Sequence, residues 1–292
     1  MSGLRRFTLA TAMALTVMSV AASGAVAAPP GAARPTSTAL APSAITTTVV
    51  RAYFLLADPA GGTSRLVPVL RQVPPTSAPA HAAMDALLAG PTRREASADP
   101  AIRTALGNGT RLLGLRVDAG TATVNLDAAF LAGASARVTR GRAAQVTYTL
   151  TQSSTITRVR ILVAGKALPP VAGLPTGTFT RTTFREEWLP AIFVDRPAWG
   201  SLFESGTRIS GLTNVFEAQF RLRVIAASGR VLLDREVLAD LPAGSGGWRG
   251  FSIPVTYRVT TYQKGIIRVY DRSEVDGHAQ DIRDYPVLLD PD

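Results

Sequence analysis

The chain has 292 residues, of which 46% are hydrophobic and 18% charged, and its formal net charge is +10 at pH 7. This length suffices for two domains with separate cores, and the composition is that of a globular protein and not of a disordered one. The chain contains no cysteine, which excludes disulfides, thiolate metal sites, thiol nucleophiles and attachment through a lipid-modified cysteine.

Residues 1–28 have the pattern of a secretion signal. Arg5 and Arg6 precede an uncharged apolar stretch, and a small-residue cleavage site lies just before Ala28. The apolar stretch is shorter than the ~20 residues of a membrane-spanning helix. We therefore expect a secreted, extracytoplasmic protein of the cell envelope that is not a lipoprotein. Residues 29–46 are rich in Pro, Ala, Ser and Thr, which predicts a flexible lead-in.

The next region, residues 47–166, contains both strand and helix patterns. β-branched and aromatic runs predict strands, and apolar residues at helical spacing predict two helices, the first ending at Gly90-Pro91. The predicted order is strand 47–57, strand 66–73, helix 77–90, strand 113–117, strand 122–126, helix 135–152 and strand 157–164. This order predicts an α+β domain in which helices pack on a sheet.

Four spaced segments of this region resemble the GerMN domain of sporulation and spore-germination proteins. They are the helix end LLAGP at 87–91, VNLD at 124–127 with Phe130, AQVTYTLT at 144–151 and VRI at 159–161. The resemblance covers roughly residues 48–166. These segments are features of a fold and not of a catalytic motif, so the resemblance implies a domain type and no activity.

The remaining chain divides into a linker and an all-β region. Residues 167–188 are rich in Pro and Gly and predict a semi-extended linker, in which packing of Phe179 and Phe184 on one domain is the alternative to full exposure. Residues 189–292 show seven short strand patterns without a convincing helix, which predicts an immunoglobulin-like sandwich. The predicted strands are 191–195, 207–212, 214–225, 230–238, 250–259, 265–272 and 282–290. The strand at 214–225 alternates strictly between apolar and polar residues and is expected to be central.

This second region resembles the Gmad-type immunoglobulin-like domain of bacterial spore germination. The residues that carry the resemblance are Ile192-x-Val194-x-x-Pro197, Gly200, Ser210-Gly211, 215–217, 250–251 and 276–277. Such a domain commonly follows a GerMN domain. The paired resemblance implies an exported bacterial envelope protein connected with sporulation, germination or wall remodelling.

The two histidines do not form a catalytic or metal-binding motif. His81 and Asp85 share a helix face, but Ser77 is better explained as a helix cap than as a nucleophile, so a surface or packing pair is preferred. His278 lies in the oxygen-rich segment 271–281, which lacks the ligand spacing of an EF-hand and is interpreted as a polar turn. We predict no metal and no cofactor.

Other candidates for chemistry also favour structural roles. Glu186 and Glu187 are adjacent and diverge on an extended chain, unlike the paired carboxylates of a glycosidase. Residues 244–247 lack the spacing of a nucleophile elbow. Three tryptophans could stack on sugars, although packing is preferred: Trp188, Trp199 and Trp248. We therefore predict no catalytic residues and a protein that is not an enzyme.

The positive charge is concentrated in the first domain. Residues 48–166 contain fourteen Lys/Arg and six Asp/Glu, whereas residues 167–292 contain fourteen and fifteen. A high-GC genome would explain the use of Arg but not its uneven distribution. Five arginines are expected to be solvated and to form an anion-binding surface: Arg93, Arg94, Arg103, Arg137 and Arg140.

We predict a non-catalytic binding or assembly module of the cell envelope. Its expected partner is an anionic envelope polymer, a lipid surface or another envelope protein. A cell-wall hydrolase, or an accessory factor of one, is the alternative. Nucleic acid is not an expected partner, because export removes the usual target and no recognition motif is present.

Overall fold

The computed structural model describes residues 47–58, 62–240, 247–273 and 275–291. The predicted signal peptide and lead-in lie outside the described residues, as do residues 244–246. Within the described part of the chain, no helix is long and apolar enough to span a membrane.

The N-terminal region is a mixed α+β structure with the predicted order of its main elements. Strands β1 (Thr48–Leu56) and β2 (Arg65–Val73) form an antiparallel hairpin. Strands β4 (Leu112–Asp118) and β5 (Thr121–Leu126) form a second hairpin, and helix α3 (Ala136–Leu150) connects β5 to strand β6 (Arg158–Val163), which pairs with β5 in parallel. The further elements are α1 (Pro79–Leu88), α2 (Arg93–Ala96), β3 (Ile102–Arg103) and β7 (Lys166–Ala167). The sheets run β2-β1-β3 and β4-β5-β6-β7. Ala78, and not Ser77, is the N-cap of α1, and it makes no side-chain cap.

Helix α3 takes the place of a neighbouring strand along one edge of β1. The Gln145 side chain donates to the Tyr53 carbonyl (2.9 Å), and the Tyr53 amide donates to the Thr149 hydroxyl (3.0 Å). The Gln152 side chain accepts from the Arg51 amide and donates to the Arg51 carbonyl, both at 2.8 Å. These bonds satisfy backbone groups that would otherwise be buried without partners. They also account for two of the buried polar residues of α3, Gln145 and Thr149.

The C-terminal region is the expected immunoglobulin-like sandwich. A five-stranded sheet, β10-β16-β15-β12-β13, faces a three-stranded sheet, β14-β11-β9. The strands are β9 (Ile192–Arg196), β10 (Leu202–Phe203), β11 (Arg208–Thr213), β12 (Gln219–Ala226), β13 (Val231–Leu238), β14 (Arg249–Pro254), β15 (Gln263–Arg272) and β16 (Ala279–Leu289). Phe220 of one sheet packs on Phe251 of the other with ring centroids 4.9 Å apart. The alternating pattern of β12 therefore points one face into the core.

The central strand is shorter than its sequence pattern predicts. It begins at Gln219, because Phe216–Ala218 form a 3-10 turn in which Glu217 and Ala218 have positive φ values of 51° and 56°. Phe216 is exposed as a result. The turn carries the chain from the sheet of β11 to the sheet of β12, so the prediction of a continuous strand over 214–225 was wrong at its start.

The segment predicted as a semi-extended linker is partly folded. Strand β8 (Thr178–Phe179) pairs with β6, and helix α4 (Arg181–Trp188) packs against α3. Phe179 and Phe184 are buried with ring centroids 5.6 Å apart. The prediction of an extended segment was therefore wrong for α4, because Phe184 and Trp188 form an apolar stripe one turn apart on that helix. Packing of Phe179 and Phe184 on a domain, the alternative, is what the structure shows. Residues 168–177 lie between β7 and β8 and outside both strands.

Candidate functional site: the junction and its groove

A cluster of largely buried polar side chains joins the two regions. The Tyr53 hydroxyl on β1 donates to Asp195 Oδ1 on β9 at 2.5 Å. Arg181 of α4 donates through Nη2 to the Tyr53 hydroxyl oxygen at 2.8 Å, and the Arg181 Nη1 lies 3.3 Å from Asp195 Oδ1. Arg51 of β1 places Nη1 3.8 Å from Asp195 Oδ2. One carboxylate thus connects β1, α4 and β9.

The protonation states of this cluster follow from its surroundings. Burial alone would raise the pKa of Asp195, but the guanidinium groups of Arg181 and Arg51 hold it below its ordinary value. Burial raises the pKa of Tyr53, and the neighbouring Asp195 carboxylate raises it further. At neutral pH the carboxylate is therefore charged and the phenol remains a donor. The cluster is a satisfied ion-pair network whose role is structural.

Main-chain hydrogen bonds reinforce the same junction. The Trp199 amide donates to the Pro68 carbonyl at 2.9 Å, and the Leu70 amide donates to the Trp199 carbonyl at 3.0 Å. Trp199 thereby extends the sheet at β2 by a parallel bridge to Val69. The two regions also share one hydrophobic cluster, so the junction is a packed interface and not a loose tether.

We expect limited proteolysis to cut within residues 168–177 without separating the two regions. These residues lie outside the regular elements, whereas α4 is packed. The nicked chain should elute as one species from a size-exclusion column under native conditions and give two fragments in denaturant. Separation of the fragments without denaturant would contradict this expectation.

An open groove of about 810 Å³ lies beside the junction. Its lining comes from β1, β4, the end of α3 and the start of α1 in the first region, and from residues between Arg196 and Arg208 in the second. Three apolar lining residues remain exposed: Val49 by 54%, Val117 by 45% and Leu202 by 46%. Exposed apolar surface in a concave site is typical of a binding site.

The charged residues of this groove are all basic. Arg51, Arg196 and Arg208 line it together with His81, and its described lining contains no Asp or Glu. Arg51 is paired with Asp195, and Arg208 donates to the Ser252 hydroxyl at 2.8 Å. Arg196 is exposed and has no carboxylate partner among the described residues. The groove therefore combines an apolar surface with a positive rim.

The five arginines predicted to bind anions fall into two groups. Arg93, Arg94 and Arg103 are exposed on the neighbouring elements α2 and β3. Arg137 and Arg140 instead bind Glu187 of α4, at 3.0 Å and 2.8 Å. The Arg140 side chain is only 20% exposed, and its hydrogen bond lowers the pKa of Glu187. The expectation that Arg140 is solvated was therefore wrong, since the folded α4 supplies a carboxylate that an extended linker would not.

Neither histidine forms part of a catalytic arrangement among the described residues. His81 and Asp85 are exposed on α1 and make no hydrogen bond to each other there, although His81 lines the groove. His278 lies 3.1 Å from Asp276 in an exposed turn. In the same part of the chain, no group of three or more His, Asp or Glu is placed to hold a metal ion.

The tryptophans are used for packing. Trp188 is buried and lies under the Arg137 guanidinium, with the Arg137 Cζ 5.2 Å from the ring centroid. Trp199 is half-buried at the junction, and Trp248 is half-buried against the core.

Family models match both regions. Residues 51–169 match the model for sporulation and spore germination, and residues 191–278 match the immunoglobulin-like domain of bacterial spore germination. Comparison of the sequence with curated proteins gives no match.

Three solved structures show similarity to about half of the chain. A lipoprotein candidate from Clostridium perfringens is 19% identical, with a TM-score of 0.32, and the match covers 49% of this chain and 93% of that one. The tandem GerMN domains of the sporulation protein GerM from Bacillus subtilis are 16% identical (TM-score 0.35; 49% and 51% covered). The first of those domains alone is 20% identical (TM-score 0.35; 46% and 98% covered). By the two family models, residues 51–169 belong to the sporulation and spore germination family, and residues 191–278 form an immunoglobulin-like domain of bacterial spore germination.

Proposed function

We propose that this protein is a non-catalytic binding or assembly module, exported to the cell envelope, that acts in germination, sporulation or wall remodelling. The observation that carries this proposal is the open, partly apolar groove beside a tightly packed junction of the two domains. A preformed concave surface of this kind suits recognition. The alternative is a wall hydrolase, which would need a general acid or base together with a nucleophile or a metal ion. His81 lines the groove, but among the described residues it has no such nucleophile or metal site beside it.

Genetic complementation tests this function. A strain that lacks the protein and shows a germination, sporulation or wall defect is given variants with Val117→Asp plus Leu202→Asp. Because both residues are exposed in the groove, the variant is expected to be exported and folded but to restore less than a tenth of the lost function, a change of about tenfold.

The matched control carries Val231→Asp plus Leu238→Asp. These residues are exposed apolar positions on β13, by 46% and 63%, and neither lines the groove. The control should restore function. Full restoration by the groove variant would overturn the proposal, as would release of soluble fragments from purified wall material by the wild-type chain.

Exposed arginines support a second contact, with an anionic polymer or lipid surface. Arg93 and Arg94 lie on α2, and Arg103 lies on the adjacent β3. Exposed charges are screened beyond about 8 Å at physiological salt, so this contact is weak and salt-sensitive. It would concentrate the protein at an anionic surface without determining which ligand the groove selects.

We expect Arg93→Glu with Arg94→Glu to reduce binding to phosphatidylglycerol vesicles at low salt by at least about thirtyfold, because each basic residue contributes about 1 kcal/mol near such a surface. Vesicle co-sedimentation measures the effect. The control Arg158→Glu with Arg160→Glu changes the charge equally at exposed positions on β6. Equal loss in both variants would show that net charge, and not this surface, governs binding.

A further inference from the structure

We propose that the groove binds an extended, acidic and apolar peptide segment of a partner protein. The inference rests on the proposed binding function of the groove and adds the chemical class of its ligand. Three features of the groove carry it: an uncovered apolar sheet face, an unpaired strand edge and a rim of positive charge.

The apolar face belongs to the sheet of β4 and β5. Leu115 pairs with Val124 and Val117 pairs with Ala122, so these side chains lie on one face of the sheet. Val124 and Ala122 are fully buried, whereas Val117 is 45% exposed. The core face of β5 therefore continues onto β4 into the groove, where it can bind apolar side chains of a ligand.

The strand edge favours a peptide over other ligands. β4 stands at the end of its sheet, and in the described ranges it pairs with β5 alone. Backbone groups along an unpaired strand edge can accept an added strand, and alternate side chains of that strand then face the sheet. A lipid chain or a sugar polymer cannot form such a ladder.

The charge of the groove selects an acidic partner. Arg196 lies exposed on the rim without a carboxylate partner in the described chain, and the described lining has no Asp or Glu. Residues 29–46 of this chain contain Arg34 and no carboxylate, and the whole chain has a charge of +10. The lead-in therefore lacks the complementary sign, and the occupant that we propose is an acidic segment of a different protein.

Fluorescence anisotropy with the exported chain tests the inference. The probe is a labelled hexapeptide in which valine and glutamate alternate. It should bind saturably, and a hexapeptide of alternating valine and lysine should bind at least about tenfold more weakly because its charge is reversed. Similar binding of the two peptides, or binding of neither, would overturn the inference.

Groove variants locate the site. Val117→Asp and Arg196→Glu should each weaken binding of the acidic peptide by about tenfold or more. The matched controls are Leu238→Asp, an exposed leucine of β13 outside the groove lining, and Arg230→Glu, an exposed arginine of the second domain. The controls should bind as the wild type does. Equal affinity in groove and control variants would place the peptide elsewhere and overturn the assignment.

Two further outcomes separate this inference from the proposed function. Binding of phosphatidylglycerol vesicles that Val117→Asp abolishes, with no peptide binding, would make a lipid surface the occupant. A concentration-dependent dimer that the same substitution abolishes would make a second copy the occupant. Either result would overturn the peptide ligand and leave the groove as a binding site, whereas failure of the complementation test would overturn the function itself.

Discussion

Replacement of Asp195 by asparagine is expected to lower the free energy of unfolding by about 3 kcal/mol, because removal of one partner leaves the other charges of a buried ion-pair network uncompensated. The substitution keeps the size of the side chain and removes the charge that Arg181 and Arg51 face. It also weakens the acceptor of the 2.5 Å hydrogen bond from Tyr53. Urea unfolding followed by tryptophan fluorescence measures the loss.

Asp234→Asn is the matched control. Asp234 binds Arg221 and Arg223 at 2.6 Å and 2.9 Å on the outer side of β12 and β13. It also faces two arginines, but at the surface, so its loss should cost less than about 1 kcal/mol. Equal destabilisation by the two substitutions would show that the junction network contributes no more than a surface ion pair.

The pH dependence of the Asp195 contribution has a defined sign. The pKa of Asp195 is below its ordinary value in the folded protein, and in the unfolded chain it is about 3.9. A group with a lowered pKa stabilises the fold above the unfolded value, and this stabilisation is lost as the pH falls through the folded value. The difference between wild type and Asp195→Asn should therefore be constant near neutral pH and shrink below about pH 4.

Local patterns were sufficient for most of the elements. The β1–β2 and β4–β5 hairpins and helix α3 were predictable because their contacts, or the periodicity of their apolar residues, lie within a short stretch of chain. The same holds for the strands of the sandwich. The start of β12 was not predictable, since the pattern of alternation continues through a turn that tertiary structure requires.

The junction could not be read from local patterns. Tyr53 and Asp195 are 142 residues apart, and nothing near either residue indicates a partner. The pairing of Arg140 with Glu187 depends on a helix in a segment whose Pro and Gly content suggested a linker. The groove was missed for a related reason. Val117 belongs to a strand in which apolar residues alternate, and this pattern predicts burial. Only the packed structure shows that the Val117 side chain remains 45% exposed.

The glycine at position 211, part of the sequence resemblance, has a packing reason that the structure makes explicit. A Cβ at this position would lie 1.8 Å from the Phe193 carbonyl oxygen and 2.8 Å from Cζ of Phe251. The first contact is with the backbone of the adjacent strand β9, at the point where the pairing of β11 and β9 shifts register. Backbone cannot move aside as a flexible side chain can, so β9 and β11 must separate to accept even a methyl group.

We therefore expect Gly211→Ala to lower the free energy of unfolding by about 3 kcal/mol, at the upper end of the cost of overpacking a core. The control is Gly250→Ala on β14, which pairs with β11 in the same sheet. No atom lies within 4 Å of the Cβ position of Gly250, so this substitution should change stability by no more than about 0.5 kcal/mol. Urea unfolding of both variants measures the two changes in the free energy of unfolding. Equal midpoints would mean that the two strands relax around the added methyl group, and that the close approach of β9 to β11 is not what requires glycine at this position.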